Sequence, residues 1–172
     1  MHPVIQTPMN SATPLIPAGF KPLKVGGPYM QINGPLYGRL IQSDGQRQVL
    51  IGFRVEPRHT NPTGVCHGGM LASMADMMVA ICVPYQTNLP RHFFPTISLQ
   101  MDFLAPARVG DWVQAETQIL RTTRNLVFTQ ALLKVQDELV LRVSGIYKVG
   151  PLFQAEDVVA GDPLGLATES AS

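Results

Sequence analysis

A single carboxylate, Asp76, lies within the apolar part of the stretch NPTGVCHGGMLASMADMMVAICVPYQ, residues 61–86. A buried carboxylate without a partner is energetically costly, so this residue requires either a structural partner or a chemical task. In apolar surroundings a carboxylate suits the role of a general base. Asp76 is therefore the leading candidate for a catalytic residue. The structural alternative is a core carboxylate bonded to Asn61 or Ser73.

The glycine pair Gly68–Gly69, just before the apolar run, supplies a second chemical feature. The first N–H groups of a helix have no intrahelical partner and lie at its positive end. Such donors can stabilise the oxyanion that forms when a carbonyl group is attacked. Glycine also lets a substrate approach the backbone closely. The same segment therefore offers a candidate base and candidate oxyanion donors.

Composition excludes several other classes of protein. The 172 residues suffice for one domain with a core, and 45% hydrophobic with 15% charged residues argues against wholesale disorder. The net charge of +1 and the lack of a basic run argue against a nucleic-acid partner. We find no signal-peptide pattern at the start, and Asp76 interrupts the longest apolar run, so we expect a cytoplasmic protein without a membrane span. Cys66 and Cys82 are expected to be core thiols.

The pattern along the chain predicts one α+β domain over residues 19–150, with a flexible arm at 1–18 and a loose tail at 151–172. Strand-like segments lie on both sides of a single helix: LYGRLIQ and RQVLIGFRV before it, and PTISLQMDF, DWVQAETQILR, LVFTQALLKV and LVLRVSGIYKV after it. The short turns between them predict a largely antiparallel sheet. In PTISLQMDF the apolar residues have the period of two of a half-buried strand: Ile97, Leu99, Met101 and Phe103.

The predicted helix runs from Met70 to Val83, and Pro84 is expected to mark its end. Ser73 and Asp76 are its only polar residues. A helix that is apolar on every side must be surrounded by protein. We therefore expect the sheet to curl around it and a second copy of the chain to cover the rest.

These motifs resemble the hotdog-fold thioesterases, specifically the phenylacetate-degradation (PaaI-like) type of acyl-CoA thioesterase. The resemblance rests on HTNPTGVCHGGMLASMADMM, PTISLQMDFLAPARVGD and RTTRNLVFTQ, and it covers roughly residues 19–150. It implies a hotdog fold, an antiparallel sheet wrapped around one long central helix. It also implies hydrolysis of an acyl-CoA to the free acid and coenzyme A, without metal or cofactor, in a homodimer or a homotetramer of paired dimers.

The resemblance assigns roles to individual residues. Asp76 matches the carboxylate that acts as general base on water or as nucleophile, and the N–H of Gly68 matches the group that polarises the thioester carbonyl. Asn61 matches an amide that places the thioester or the water, although it also suits a turn or cap residue. Thr96 falls where a hydroxyl often orients the carboxylate or water. His67 belongs to the motif, and we favour a structural hydrogen bond within the turn over a chemical role for it.

Four further residues are candidates for substrate binding: Gly69, Met77, Arg121 and Arg124. Met77 lies in a methionine-rich helix segment that suits either plain core or a substrate channel. The two arginines lie at the RTTRN hairpin tip, where they are either solvated charges or contacts to the phosphates of coenzyme A. The acyl group stays open, as does the choice between coenzyme A and acyl-carrier-protein thioesters.

Two alternatives to a thioesterase remain, a hotdog enoyl-CoA hydratase or dehydratase and a non-catalytic acyl-CoA-binding module. The hydratases pair an acidic residue with a histidine, whereas His67 precedes Asp76 at a spacing that does not match them. A sensing module would usually carry a DNA-binding segment, and the N-terminal arm is not basic. No GxSxG, phosphate-binding loop, dinucleotide fingerprint or metal-ligand spacing is present in the sequence.

Overall fold

The computed structural model describes residues 16–24, 27–43, 46–89, 92–153 and 164–165. Most of the arm predicted at 1–18 lies outside the described residues, as does most of the tail predicted at 151–172. The proposed flexibility of both segments therefore stays a prediction. The domain predicted at 19–150 is described almost throughout.

Seven strands and one long helix form the described part of the domain. The elements, in chain order, are β1 (Lys21–Pro22), α1 (Pro28–Asn33), β2 (Tyr37–Ser43), β3 (Gln46–Arg54), a 3-10 turn (Pro57–His59), α2 (Gly68–Gln86), β4 (Thr96–Phe103), β5 (Trp112–Thr122), β6 (Leu126–Val135) and β7 (Glu138–Lys148). The predicted order of two strands, one helix and four strands is confirmed. β1 and α1 were not predicted, because segments this short carry no readable apolar period.

The strands form one antiparallel sheet with the order β1-β2-β3-β5-β6-β7-β4. Alternate residues of the central strands are buried towards α2, as the period of two requires. The core combines this sheet face with the buried side of the helix and includes Cys66 and Cys82 as free thiols. The α+β fold with an antiparallel sheet around one central helix is confirmed.

Helix α2 extends beyond the predicted range at both ends, and Pro84 lies inside it. The expectation that Pro84 ends the helix was therefore wrong. A proline in a helix loses its own N–H bond and crowds the carbonyl four residues earlier, and in α2 only two residues follow it before the helix ends. The Thr87 hydroxyl, just after the helix, donates to the Val83 carbonyl at 2.7 Å. At the other end His67 is the N-cap, so Gly68 is the first helical residue.

One side of α2 is only partly covered by the part of the chain that the structure describes. Its buried residues face the sheet, whereas Asp76, Met77 and Ala80 are only half-buried. By length and composition alone the 19-residue helix also resembles a membrane span, which was not predicted. The helix passes this comparison because a single carboxylate, Asp76, lowers the mean hydropathy of so many apolar residues only slightly. Packing of its buried side against the sheet is the pattern of a core helix.

Strand β4 forms one edge of the sheet, paired only with β7 among the described residues. Leu99 and Met101 pack against the core, as the alternation predicted. Ile97 and Phe103 do not, since they are 56% and 53% exposed. The apolar alternation is thus confirmed in the middle of the strand and wrong at its ends for a single chain. An unpaired edge that carries exposed apolar side chains requires cover.

Candidate active site

The carboxylate of Asp76 is held by two strands of the sheet. The Thr96 hydroxyl donates to its Oδ1 atom at 2.7 Å, from the first residue of β4. The hydroxyl of Tyr147, on β7, lies 3.4 Å from the same Oδ1 atom and 3.4 Å from the Asp76 carbonyl oxygen. Thr96 and Tyr147 are register partners, which explains why both reach the same oxygen. The structure thus brings together Asp76 and Thr96, as the resemblance implied.

The partners considered in the structural alternative do not bond Asp76. The Ser73 hydroxyl donates to the Gly69 carbonyl at 2.9 Å, one turn back along the helix. The side-chain oxygen of Asn61 accepts hydrogen bonds within its own loop. Among the described residues, Oδ2 of Asp76 accepts no hydrogen bond. That oxygen is available to take a proton from water or to attack a carbonyl carbon.

Tyr147 was missed by the sequence analysis. It is fully buried, and burial together with the nearby Asp76 raises the pKa of its hydroxyl, which stays protonated and can donate. One signal was available in the sequence. The period of two in LVLRVSGIYKV puts Tyr147 on the same face as the buried Leu141 and Val143. A tyrosine on a core face needs a partner for its hydroxyl.

Asn61 lies in the loop that leads to α2. Its side-chain oxygen accepts from the Thr63 N–H at 3.0 Å, the Thr63 hydroxyl at 2.7 Å and the Val65 N–H at 3.3 Å. The turn role considered for Asn61 is therefore present in the structure. Its amide N–H groups have no partner among the described residues, so the same side chain can still donate to a ligand.

His59 anchors this loop and was also missed. Its ring is buried, and Nδ1 accepts from the Glu56 N–H at 3.0 Å. Burial lowers the pKa of His59, with Glu56 opposing and Arg58 reinforcing the change, so the ring stays neutral and able to accept this bond. The carbonyl of His59 accepts from the His67 N–H at 2.8 Å. No sequence motif separates such an anchor from an ordinary loop histidine.

His67 uses its ring to cap α2, because Nδ1 accepts from the Gly69 N–H at 3.0 Å. This is the structural hydrogen bond that the sequence analysis favoured. The glycine pair was expected to supply oxyanion donors, but the N–H of Gly69 is already bonded to His67. The N–H of Gly68 has no partner among the described residues. Gly68 is therefore the donor that remains for an oxyanion.

The two chemical features do not meet within one chain. Gly68 and Asp76 are eight positions apart in α2, which is about 12 Å along the helix axis. The neighbouring strand shows the same separation: Thr96 at its start contacts Asp76, and the Phe103 ring at its end lies next to Gly68. An oxyanion donor and an attacking group must both lie within about 3 Å of the reacting centre. One chain therefore does not bring the Gly68 N–H and the Asp76 carboxylate to the same point.

The remaining predicted binding residues are Met77, which follows Asp76 in α2, and two arginines. Met77 is half-buried and packs against the core. Arg121, near the end of β5, and Arg124, in the β5–β6 turn, are exposed. Arg121 pairs with Phe128 on β6, Phe128 pairs with Ile146 on β7, and Ile146 pairs with the start of β4. Arg121 is therefore three strand spacings, or about 14 Å, from the start of β4. The arginines thus lie at the Asp76 end of the sheet without contacting it.

Two other features bear on ligands. An open cleft of about 1440 Å³ lies at the C-terminal end of α2 and is lined in part by Tyr85, Glu116 and Arg121. The residues lining it do not include Asp76 or Thr96. Over the ranges that the structure describes, no group of three His, Cys, Asp or Glu side chains is arranged to hold a metal ion.

Comparison with known proteins identifies the family. The family model described as "Thioesterase superfamily" matches residues 63–141, a range that includes Gly68, Asp76 and Thr96. A Pseudomonas aeruginosa protein named as an esterase, PA0474, is 32% identical over 132 residues, covering 77% of this chain and 96% of that protein. The chain belongs to the hotdog thioesterase superfamily. Its enzyme class is accordingly that of a thioester hydrolase, as predicted.

Two further similarities concern part of the sequence and the fold. Human acyl-coenzyme A thioesterase 13 is 28% identical over 87 residues, covering 48% of this chain and 57% of that protein. A mutant form of the phenylacetic acid degradation protein PaaI of Thermus thermophilus has the same fold. It superposes with a TM-score of 0.56 at 23% identity, covering 71% of this chain and 98% of that one. The predicted resemblance to PaaI-like hotdog proteins is confirmed.

Proposed function

We propose that this thioesterase hydrolyses an acyl-CoA to the free acid and coenzyme A, with Asp76 as general base or nucleophile. The observation that carries the proposal is the half-buried Asp76 carboxylate, held at Oδ1 and open at Oδ2. Coenzyme A is favoured as the thiol because the human relative is named an acyl-coenzyme A thioesterase. Gly68 at the start of α2 is the proposed oxyanion donor.

As a general base, Asp76 acts on a water molecule. Oδ2 takes one proton while the water oxygen bonds to the thioester carbonyl carbon, and the carbonyl oxygen becomes an oxyanion. The Gly68 N–H and the positive end of α2 stabilise that oxyanion. When it collapses, the C–S bond breaks and the departing thiolate takes the proton back from Asp76. As a nucleophile, Oδ2 would instead bond to the carbonyl carbon, and the C–S bond would break to release the thiolate. Water would then hydrolyse the resulting anhydride to the free acid and the Asp76 carboxylate, and the thiolate would take up the proton that this step releases.

We further propose that the complete site forms between two copies of the chain. The outer edge of β4, which has no strand partner among the described residues, can join the β4 edge of a second copy in antiparallel register. Such pairing about the middle of the strand puts the Thr96 end of one copy opposite the Phe103 end of the other. Because Thr96 lies at Asp76 and Phe103 lies at Gly68, each Asp76 then faces the partner's Gly68. The pairing also covers the exposed Ile97 and Phe103 side chains.

A thiol-release assay over a panel of acyl-CoA and acyl-carrier-protein thioesters tests the proposal. We expect free thiol and carboxylic acid in equal amounts from at least one acyl-CoA. Addition of water to an enoyl-CoA without thiol release would instead identify a hydratase. Binding of acyl-CoA without turnover of any member of the panel would identify a binding module.

A second expected result concerns the arginines at the hairpin tip. If Arg121 and Arg124 contact the phosphates of coenzyme A, replacing both by alanine should raise KM about tenfold with little change in kcat, because such binding is equal in ground and transition states. Steady-state kinetics with an acyl-CoA measures this. An exposed arginine elsewhere, Arg142, paired with Asp102 at 2.7 Å, provides the matched control in Arg142→Ala.

The same pair of substitutions should have no effect on a short thioester that lacks the nucleotide. An equal rise of KM for the short thioester and for the acyl-CoA would return Arg121 and Arg124 to the role of solvated surface charges.

A further inference from the structure

The two hydroxyl groups that reach Asp76 act on one of its two carboxylate oxygens. Thr96 donates to Oδ1 at 2.7 Å, and the Tyr147 hydroxyl lies 3.4 Å from the same atom. The geometry points to Tyr147 as a positioning residue, which together with Thr96 fixes Oδ1 and leaves Oδ2 as the reacting oxygen of Asp76. This inference rests on the proposed function, in which Asp76 is the base or nucleophile.

The fold builds a place for the Tyr147 ring. A side chain at position 145 would put its Cβ 2.8 Å from the Tyr147 ring and 2.9 Å from the Thr129 hydroxyl, so only glycine leaves the room that the ring occupies. The Thr129 hydroxyl donates to the Gly145 carbonyl at 3.2 Å from the neighbouring strand. The ring is thus confined by the sheet, and its hydroxyl is directed at α2.

The Tyr147 hydroxyl has two acceptors at equal distance, the Asp76 carbonyl oxygen and Oδ1. Burial and the adjacent carboxylate raise the pKa of Tyr147, so the group is a permanent donor. A hydrogen bond to a charged acceptor is stronger than one to a neutral carbonyl. The carboxylate is therefore the acceptor that gains more from this proton, and the bond can shorten when the site closes around substrate.

Two donors on adjacent strands restrict rotation of the carboxylate group. With Thr96 alone, the group could still turn about the axis of that single bond. With Tyr147 as a second contact, Oδ1 stays at the sheet, and Oδ2, which accepts no hydrogen bond among the described residues, is left for the reaction. A small displacement of a reacting atom can lower the reaction rate greatly. Loss of the Tyr147 contact should therefore lower kcat rather than weaken substrate binding.

The test is Tyr147→Phe, which keeps the ring and deletes only the hydroxyl. We expect kcat for thiol release to fall about 10- to 100-fold with KM unchanged. The matched control is Tyr37→Phe. Tyr37 is the first residue of β2 and packs on the Trp112 ring, away from Asp76, so this variant should keep wild-type kinetics. Thermal unfolding of both variants confirms that they are folded. Wild-type kcat in folded Tyr147→Phe would overturn the inference.

The same substitution in an Asp76→Asn background separates positioning from packing. If Tyr147 acts through the carboxylate, Tyr147→Phe causes no further loss once the carboxylate is gone. An equal fold-loss in both backgrounds would make Tyr147 a packing residue and overturn the inference. An Asp76→Asn variant with near wild-type activity would instead refute the proposed function itself, so the two failures are distinguishable.

Thr96→Val provides a second test that does not alter the core, since Thr96 is exposed. With Tyr147 still holding Oδ1, this variant should keep substantially more activity than Asp76→Asn. If Thr96→Val is as inactive as Asp76→Asn, Thr96 alone positions the carboxylate and Tyr147 does not contribute. This result decides the question even if Tyr147→Phe fails to fold.

Discussion

Replacing Asp76 by asparagine is expected to lower kcat about 10²–10⁴-fold, the usual contribution of a positioned acid or base. Asparagine has the size and shape of aspartate, and its side-chain oxygen can still accept from the Thr96 hydroxyl. The variant should therefore fold and bind substrate while lacking a group that can take a proton from water. Thiol release, substrate binding and thermal unfolding of the same preparation measure the three properties.

The matched control is Asp137→Asn, which makes the same chemical change in the turn between β6 and β7. That turn is exposed, and it lies at the opposite end of β7 from Tyr147. We expect wild-type kinetics from this control. A loss of less than about tenfold in folded Asp76→Asn would show that Asp76 is a structural carboxylate and that the mechanism is wrong.

A second large effect is expected from Gly68→Pro, which removes the N–H proposed to stabilise the oxyanion. Proline is favoured at the first position of a helix, which Gly68 occupies. The preceding residue, His67, has φ −59° and ψ 132°, which are suitable values before a proline. The helix should therefore form normally. We expect kcat to fall about 10²–10³-fold, as for the loss of one oxyanion donor.

Gly68→Ala serves as the control for this substitution. A Cβ atom at position 68 would lie 3.6 Å from the Phe103 ring, which is an ordinary contact distance. Alanine retains the N–H, so the difference in kcat between Gly68→Ala and Gly68→Pro measures the donor itself. Equal activity of the two variants would exclude the Gly68 N–H from the mechanism.

Because the donor and the base are about 12 Å apart in one chain, Asp76→Asn and Gly68→Pro should complement each other when co-expressed. In a mixed dimer, one site carries both lesions and the other carries neither. Random association makes roughly half of the dimers mixed, so activity should recover to roughly a quarter of the wild-type level. Two different affinity tags isolate the mixed dimer for a count of active sites. A mixed dimer as inactive as its parents would exclude a shared site.

The sequence by itself determined the class of the fold and the positions of the proposed catalytic residues. A carboxylate in an apolar helix, a glycine pair at its start and strands with a period of two are local patterns. Such patterns predict the helix and the strands correctly because each element forms where one side of it can bury its apolar side chains. The positions of Asp76 and Gly68 on one helix also follow from sequence spacing alone, and with them their separation.

Tertiary structure decided which groups surround these residues. Tyr147 lies next to Asp76 only because β7 pairs with β4 in a register that puts Tyr147 opposite Thr96. His59 and Pro84 also have roles that depend on their neighbours: one is neutral and buried in a loop, and the other is tolerated within the last turn of α2. Such contacts join residues far apart in the chain, and local periodicity contains no information about them.

The exposure of β4 likewise depends on the tertiary structure. Its alternation predicted a half-buried strand, and the structure put that strand at the sheet edge with Ile97 and Phe103 uncovered. The sequence favoured a structural hydrogen bond for His67, but only the tertiary structure showed that its partner is the Gly69 N–H, which leaves Gly68 as the free donor among the described residues. Periodicity reports which side chains avoid water, but only the packed fold determines whether the same chain or a second copy covers them.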